Sequence, residues 1–390
     1  MHQDAAPDGS ERREPPLSDE RLRIAIVAPP MLPIPPLRYA GTERVIATLA
    51  DGLAARGHHV TLYAPGDSST EHRIVPTVHE ALWPSGFRGD PTPFVELAAA
   101  TAWRDASGFD VIHSHLDTGG FAFARHAPVP VVSTLHTRLD IRGPMELIDE
   151  FSEIPLVSVS HNQRRWHPRA NWVATVHNGL PLAGMPFRRT PGTYLALVGR
   201  ITREKGVAEA IELARLAGLP LRIAAKVLDA NESTYFDAVV RPALGQGVEF
   251  LGEVGPAERD PLLAGALATL MLGAWPEPFG LVAIESLATG TPVIARRAGA
   301  LPEIVEHGVD GFLVDDVKEA ERAVRLVAGL DRALIRERAI RRFGADGMVE
   351  AYERVYRELV QAHRAGGLRP ATRRPPTPVF DFPTAARSRR

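Results

Sequence analysis

The chain has 390 residues, enough for two domains that each bury a core, and its 45% hydrophobic and 24% charged residues are typical of soluble globular proteins. A formal net charge of −2 at pH 7 argues against a general electrostatic grip on nucleic acid, which needs a basic face. The absence of cysteine excludes disulfides and thiolate metal sites, and it favours a reducing cytoplasm as the location.

The first 20 residues are charged and rich in proline, without the apolar segment that a signal peptide contains. We expect this segment and the basic, Pro-rich segment 366–390 to be disordered tails. The longest mostly apolar run, residues 262–275, is too short to span a bilayer. The sequence therefore predicts a soluble or weakly peripheral protein, with the basic tail as a candidate for weak contact with a membrane surface.

From residue 23 onward, short apolar segments rich in Val, Ile and Leu alternate with helical segments. The first series of predicted strands covers 23–29, 59–65, 110–115, 129–136, 156–160 and 172–179. The main helices of this series are predicted at 41–56 and 93–106. Continuous apolar strands that alternate with helices indicate a parallel sheet covered on both faces.

The same pattern repeats after a segment rich in Pro and Gly at 181–192. Strands are predicted at 194–200, 221–227, 248–254, 267–275, 291–297 and 311–314, and helices at 205–217, 231–244, 257–265, 281–288, 317–328, 332–343 and 346–362. The predicted fold class is α/β, with two doubly wound parallel-sheet domains, 21–183 and 184–345, that face each other across a cleft. In such folds ligands bind beyond the carboxyl ends of the strands.

The segment "WPEPFGLVAIESLATGTPVIA" (275–295) places two glutamates around the start of a helix. A helix that begins near Gly280 offers free N–H groups and partial positive charge, which suit a diphosphate. Glu285 falls in the apolar stripe of this helix, about 40° from Leu281, where a carboxylate is costly unless it is hydrogen-bonded. Ribose hydroxyls would satisfy it, and Glu277 could bind a sugar on the same diphosphate. The alternative is a capping acid and a surface glutamate.

The segment "LVGRITREKG" (197–206) takes a buried strand into a loop and the next helix. Arg200 and Lys205 are therefore predicted at the carboxyl end of a strand, where each would contribute about 1.5–3 kcal/mol as a charge-assisted hydrogen bond to a diphosphate. Lysine is rare in this chain and occurs only at 205, 226 and 318. A lysine in a loop is therefore less readily explained as an ordinary surface residue without a functional role. Two solvated surface charges remain the alternative.

In the first half, "PPLRYAGTERV" (35–45) joins the first strand to its helix. Gly41 allows the backbone to approach a ligand closely, and Thr42 can cap the helix. This loop would face the cations of the second half across the cleft.

Histidines follow two strands of the first half, in "DVIHSHLDTGG" and "STLHTRLD". His113 lies within its strand, where a structural and a functional role are equally compatible with the pattern. His115 lies beyond the strand end, where loop residues reach a cleft, and His136 and Arg138 are interpreted in the same way on the acceptor side.

Several common motifs are absent from the sequence. There is no Asp-x-Asp element after a strand, so a Mg²⁺ clamp on the diphosphate is not expected, and no helical His pair at metal spacing occurs. There is also no Gly-x-Ser-x-Gly or Walker-type loop, and no Gly-x-Gly-x-x-Gly follows the first strand, which argues against a nicotinamide dehydrogenase. We therefore expect no cofactor and no metal, with protein cations neutralising the leaving diphosphate.

These segments, in this order, resemble the retaining family 4 glycosyltransferases. "EPFGLVAIE" is similar to the Glu-x₇-Glu signature of that family, "GRITREKG" to its Gly-Arg…Lys-Gly element, "VHNGL" to its Asn-Gly turn and "GTERV" to its N-terminal loop. The resemblance covers about residues 22 to 330. It implies the GT-B fold, with two Rossmann-like domains, a nucleotide-sugar donor held mostly by the second, and a C-terminal helix (346–365) that crosses back to the first.

The resemblance also implies roles for individual residues. Arg200 and Lys205 would neutralise the diphosphate, Glu285 would hold the ribose, and Glu277 would contact the transferred hexose. The remaining donor-side and catalytic positions carried over are Gly41, Phe279, Gly280 and Leu281 for the donor, and His115 for the histidine near the reacting centre. The segment "AAKV" (224–227) departs from the family's usual glycine-rich end to that strand, and Lys226 could reach a phosphate there. Ala40 stands where a second glycine is usual, which departs from the family pattern.

The sequence thus predicts a retaining, metal-independent hexosyltransferase that uses a nucleoside-diphosphate sugar, with UDP-glucose as the family expectation. Its acceptor hydroxyl belongs to a small metabolite, a glycan or a lipid. Two alternatives remain open: a sugar-nucleotide 2-epimerase on the same architecture, and a nucleotide-sugar-binding module without turnover.

Overall fold

The computed structural model describes residues 21–38 and 40–366. The tails predicted at 1–20 and 366–390 lie outside these ranges, except for Gly366. Within the described ranges, none of the helices combines the length and hydropathy that a bilayer-spanning segment requires.

The first domain is built on a seven-stranded parallel sheet in the order β3-β2-β1-β4-β5-β6-β7. Its strands are β1 Arg23–Val27, β2 His59–Ala64, β3 Arg73–Pro76, β4 Val111–Ser114, β5 Val131–Leu135, β6 Leu156–Ser158 and β7 Trp172–Thr175. Its helices are α1 Thr42–Ala55, α2 Thr92–Arg104, α3 Phe121–Ala124, α4 Pro144–Glu150 and α5 His161–Arg164. The inner strands are almost entirely buried, as expected for a parallel sheet with both faces covered.

The second domain is built on a six-stranded parallel sheet in the order β10-β9-β8-β11-β12-β13. Its strands are β8 Leu195–Arg200, β9 Leu221–Lys226, β10 Val248–Gly252, β11 Ala268–Met271, β12 Val293–Arg296 and β13 Gly311–Val314. The helices from here to the end of the described chain are α6 Val207–Ala217, α7 Ala230–Tyr235, α8 Pro256–Gly265, α9 Leu281–Ala288, α10 Leu301–Ile304, α11 Val317–Leu326, α12 Arg332–Phe343 and α13 Ala345–Arg364.

The predicted fold class is confirmed, and each of the twelve predicted strands occurs. The thirteenth strand, β3, was not predicted; it is a short edge strand with partly exposed residues. The continuous helix predicted at 231–244 is wrong: α7 ends at Tyr235 and is followed by a π-helical turn (236–240) and a 3₁₀ turn (241–243). Pro242 explains this change, because it has no N–H and its ring clashes with the carbonyl group four residues earlier in a regular helix.

The last helix, α13, leaves the second domain and packs on the first, against α1. The approach is close, because a Cβ on Gly52 of α1 would lie 2.4 Å from a methyl carbon of Val349. Tyr352 and Tyr356 of α13 are fully buried in the first domain. The chain therefore passes between the domains twice, and the two passages lie side by side: the Leu180 N–H donates to the Phe343 carbonyl over 3.1 Å.

Candidate active site

A cleft with an empty volume of about 1020 Å³ is lined by residues of both domains. Its walls include, from the first domain, Gly41, Thr42, His136 and Asn178, and from the second, Gly199, Arg200, Lys205, Trp275, Glu277, Phe279, Gly280 and Leu281. The loops that follow β1, β5, β8 and β11 supply most of these side chains. The cleft therefore lies at the carboxyl ends of the strands, where ligands bind in doubly wound folds.

Helix α9 begins at Leu281, directly after Gly280, as the sequence predicted. Gly280 is in the left-handed region with a φ of 109°, a conformation that favours glycine. The start of the helix lines the cleft, together with Glu277, and the positive end of the helix dipole faces a ligand there.

Lys205 and Glu277 form an ion pair inside the cleft, although they come from different loops. Two glycines bring the backbone segments together. A Cβ on Gly206 would lie 2.3 Å from the backbone nitrogen of Gly273, and a Cβ on Gly299 would lie 2.3 Å from the backbone nitrogen of Glu277. The ammonium and the carboxylate predicted to contact diphosphate and sugar are thus each other's partners in this structure.

Arg200 lines the cleft and is paired with Glu232, a buried acid at the start of α7. The Arg200 Nε donates to a Glu232 carboxylate oxygen over 2.8 Å, and the other oxygen accepts the Leu228 N–H over 2.5 Å. Glu232 was not predicted as a site residue. The sequence signal for Glu232 is an acid in the first turn of α7. This helix follows β9, which pairs with β8, the strand that ends at Arg200.

Lys226, at the end of β9, is not among the residues that line the cleft. Its ammonium lies 6.0 Å from the ring centroid of Trp83 in the first domain. Burial lowers the pKa of Lys226, an effect that Glu253 and Glu43 oppose. The structure thus places Lys226 in the contact between the domains, whereas the sequence analysis placed it against a phosphate.

Glu285 is fully buried in the contact between the domains and is also not among the residues that line the cleft. One of its carboxylate oxygens pairs with Arg44 of α1 and, over 3.0 Å, with Arg259 of α8. Among the described residues, the other oxygen, Oε2, has no hydrogen-bond partner. The prediction that ribose hydroxyls satisfy Glu285 is therefore incomplete, since Arg44 and Arg259 already bind one of its carboxylate oxygens. The ribose contact stays a prediction.

His113, His115 and His136 have different surroundings. His136 is half-buried and lines the cleft. His115 is fully buried behind it, with its Nδ1 2.8 Å from the His136 Nε2. The expectation that His115 projects into the cleft is corrected, because the backbone beyond β4 continues alongside β1, with the His115 N–H donating to the Val27 carbonyl over 2.9 Å.

His113 has a structural role. Its Nδ1 lies 2.7 Å from the Tyr356 hydroxyl and its Nε2 lies 2.7 Å from the Thr134 hydroxyl. Burial lowers the pKa of His113 to about 3 and that of His136 to about 4, and it lowers the pKa of His115 well below the usual value. All three imidazoles are therefore neutral at pH 7.

The remaining acceptor-side predictions differ in outcome. Thr42 lines the cleft, but it is the first residue of α1 and provides no side-chain cap, because Gly41 occupies the N-cap position. The guanidinium of Arg138 lies 4.0 Å from the ring centroid of Trp275 and pairs with Asp140. Arg138 thus links the first domain to a cleft-lining residue of the second and is not itself among the residues of the cleft wall.

In the part of the chain that the structure describes, His161, His177 and Glu303 form a cluster with side-chain atoms close enough to share a metal ion. Protein groups already occupy Glu303, whose carboxylate accepts the backbone N–H groups of His161 and Asn162 over 2.8 and 2.6 Å and lies 3.1 Å from the His177 Nε2. The cluster is separate from the residues that line the cleft. The expected absence of a metal at the donor site stays a prediction.

Two family models match the chain and together cover most of it. "Glycosyltransferase Family 4" matches residues 39–203, and "Glycosyl transferases group 1" matches residues 187–344. Among curated proteins, the chain is 28% identical to glycogen synthase of Mycobacterium tuberculosis, over 77% of this chain and 83% of that protein. It is also 28% identical to D-inositol 3-phosphate glycosyltransferase of Mycolicibacterium smegmatis, over 83% of this chain and 87% of that protein.

Solved structures show the same fold. AviGT4, a glycosyltransferase involved in avilamycin A biosynthesis, is 26% identical with a TM-score of 0.66, covering 87% of this chain and 98% of that chain. Anabaena Alr3699/HepE, solved in complex with UDP and glucose, is 19% identical with a TM-score of 0.69, covering 87% of this chain and 100% of that chain.

Proposed function

This chain belongs to the family 4 glycosyltransferases of the GT-B fold and transfers a sugar from a nucleotide sugar, and we propose that the transfer retains the anomeric configuration and needs no metal ion. The proposed donor is UDP-glucose, and the proposed acceptor is a hydroxyl group of a small metabolite, a glycan or a lipid. The complexes of Alr3699/HepE with UDP and glucose and with UDP-glucose support this choice of donor.

The observation that carries the proposal is the Lys205–Glu277 ion pair beside the start of α9. A nucleoside-diphosphate sugar would separate this pair, with its diphosphate on Lys205, Arg200 and the helix N-terminus and its sugar hydroxyls on Glu277. Lys205 and Glu277 would each exchange one charge-assisted hydrogen bond for another. The new hydrogen bonds would therefore compensate most of the cost of keeping the two charges away from water. The two cations supply the positive charge that a metal ion supplies in other transferases.

In this mechanism the acceptor hydroxyl attacks the anomeric carbon from the face that the diphosphate leaves. The bond from the anomeric carbon to the diphosphate oxygen breaks as the bond to the acceptor oxygen forms. The proton of the acceptor hydroxyl passes to an oxygen of the departing diphosphate. Lys205 and Arg200 stabilise the negative charge that develops, an effect that is large when the charges are already in place.

The first experiment is a calorimetric titration with UDP, GDP, ADP and their glucose or mannose forms in the presence of EDTA. We expect one base to bind at micromolar concentration without metal, and Lys205→Ala to weaken that binding about 10- to 100-fold, as for a lost charge-assisted hydrogen bond. Lys318→Ala is the matched control, because Lys318 is exposed on α11 and is not among the residues that line the cleft. Equal binding by both variants would refute the proposed donor site.

The second experiment follows the donor itself by NMR. With an acceptor present, retention predicts that the glycoside keeps the anomeric configuration of the sugar nucleotide. Formation of the 2-epimer without any acceptor would establish the epimerase instead. Tight donor binding without product over hours would establish a binding module.

A further inference from the structure

His136 and His115 form a hydrogen-bonded pair at the first-domain wall of the cleft, with 2.8 Å between the His136 Nε2 and the His115 Nδ1. Only His136 reaches the cleft, since His115 is fully buried. The other ring nitrogen of His136, Nδ1, has no hydrogen-bond partner among the described residues. This nitrogen is therefore left for a ligand.

The pair is held from several sides. The His136 backbone N–H donates to Asp117 over 2.6 Å, and the His136 and His115 rings are stacked, with centroids 5.1 Å apart and 21° between their planes. Behind them, the His113 ring centroid lies 4.0 Å from that of His115. His113 is in turn held by Thr134 and by Tyr356 of α13. Rotation of the His115 ring would break this packing. The His115 Nδ1 is therefore held in position facing the His136 Nε2.

The protons of the pair can be arranged in two ways, because one hydrogen bond joins two neutral rings. If His136 donates, the proton of His115 lies on Nε2, which is buried without a partner among the described residues. If His115 donates, its Nε2 is a bare acceptor and the proton of His136 lies on Nδ1. A buried N–H without an acceptor is rarer in proteins than a buried acceptor without a donor, which favours the second arrangement.

We propose that His115 is a positioning residue that fixes the orientation and the tautomer of the His136 ring, so that His136 presents its Nδ1–H to a ligand oxygen in the cleft. The proposal rests on the proposed function and adds to it. In this arrangement both His136 nitrogens are committed, Nε2 to His115 and Nδ1–H to the ligand. His136 thus has no lone pair with which to take the proton of the acceptor, and it acts as a hydrogen-bond donor while the diphosphate oxygen takes that proton.

The direct test is a long-range ¹H–¹⁵N NMR spectrum of the ligand-free protein at pH 7, with the ring signals assigned through His136→Asn and His115→Asn. We expect His136 to be protonated at Nδ1 in the wild type and to shift to Nε2 in His115→Phe, which removes the donor. A wild-type His136 protonated at Nε2 would overturn the proposal. The measurement needs no substrate, so it is independent of whether the proposed donor and acceptor are right.

The second test uses amide side chains that imitate one ring nitrogen at a time. Asn places its amide nitrogen near the position of Nδ1 and Gln places it near that of Nε2. We expect His115→Asn to keep kcat within about threefold, and His115→Gln and His115→Phe to lower it about tenfold or more, the effect of losing one oriented hydrogen bond. UDP affinity should stay within about twofold, which serves as the check on folding. Equal losses in His115→Asn and His115→Gln would show that His115 only fills space.

The same amide substitutions test which nitrogen of His136 faces the ligand. His136→Asn retains a donor near Nδ1 and is expected to keep more activity than His136→Gln. The reverse order would overturn the assignment of Nδ1 as the ligand-facing nitrogen.

Discussion

Arg44 of α1 and Glu285 of α9 form an ion pair that joins the two domains, and the Glu285 side chain is fully buried in it. Arg259 binds the same carboxylate oxygen, and the second oxygen has no partner among the described residues. A donor ribose that binds Glu285 would therefore have to share or replace contacts that now connect the domains. If Glu285 binds the ribose as predicted, donor binding and domain contact are coupled through this one carboxylate.

Glu285→Ala should lower the free energy of unfolding by about 3–5 kcal/mol, because it leaves the buried Arg259 without its Glu285 partner. Arg44→Ala should cost less, about 1–2 kcal/mol, since Arg259 still holds Glu285. Urea denaturation of both variants and of the double variant measures the coupling. Arg56→Ala is the control, because Arg56 directly follows α1 and its pair with Glu353 is more exposed, so it should contribute less than about 1 kcal/mol. Additive losses would show that Arg44 and Glu285 do not interact.

Glu232→Gln should strengthen UDP binding several-fold, because the carboxylate that now neutralises Arg200 competes with the diphosphate. Glutamine retains an oxygen for the Leu228 N–H, so the loop after β9 keeps its hydrogen bond. Calorimetry with UDP at low salt measures the change. Asp237→Asn removes an exposed acid from a pair with Arg241 and should leave UDP affinity unchanged. Weaker binding by Glu232→Gln would show that Glu232 holds Arg200 in place for the ligand.

Stability should depend on pH through Glu43, since burial raises the pKa of this carboxyl from 4.5 to about 7, with Lys226 opposing the change. Between these values the folded protein binds a proton that the unfolded chain has released, so the free energy of unfolding falls as pH rises from about 4.5 to 7. Glu43→Gln removes this dependence and should be more stable than the wild type at pH 8 by up to ~3 kcal/mol. At pH 4 the two proteins should be nearly equal. Denaturation curves of both proteins at pH 4 and pH 8 measure the free energies of unfolding. If Glu43→Gln differs from the wild type by the same amount at both pH values, the prediction is contradicted.

Gly299→Ala should displace Glu277, because the new Cβ would lie 2.3 Å from the Glu277 backbone nitrogen. We expect a loss of transferase activity of at least tenfold together with ~2–4 kcal/mol of stability, as for an overpacked site with unfavourable φ. Gly308→Ala separates the two causes, since Gly308 also has a positive φ, of 80°, but nothing lies within 4 Å of its Cβ position. The control should cost only about 1–2 kcal/mol and leave activity intact.

The alternation of apolar strands and helices was enough to predict both sheets, because buried parallel strands are apolar along their whole length. β3 escaped this pattern because an edge strand is only half-covered. Gly280, Glu277 and Lys205 could be placed in the cleft because each follows or precedes an element whose end is visible in the sequence. The partners Arg44 and Glu232 could not, since a contact between segments far apart in sequence leaves no periodic signal. The roles of His115 and His136 depend on where the chain turns after β4, and the spacing of residues does not show it.

The two passages between the domains have a mechanical consequence. The chain passes at Leu180 and again near Gly344, and these two points are bridged to one another. Two connections side by side act as a hinge, which permits one domain to rotate against the other about an axis through Leu180 and Gly344. The paired connections resist twisting and sliding of the domains more than a single connection would. Opening and closing of the cleft should thus follow nearly one path, so that a substrate meets Lys205 and His136 in the same relative position at every turnover.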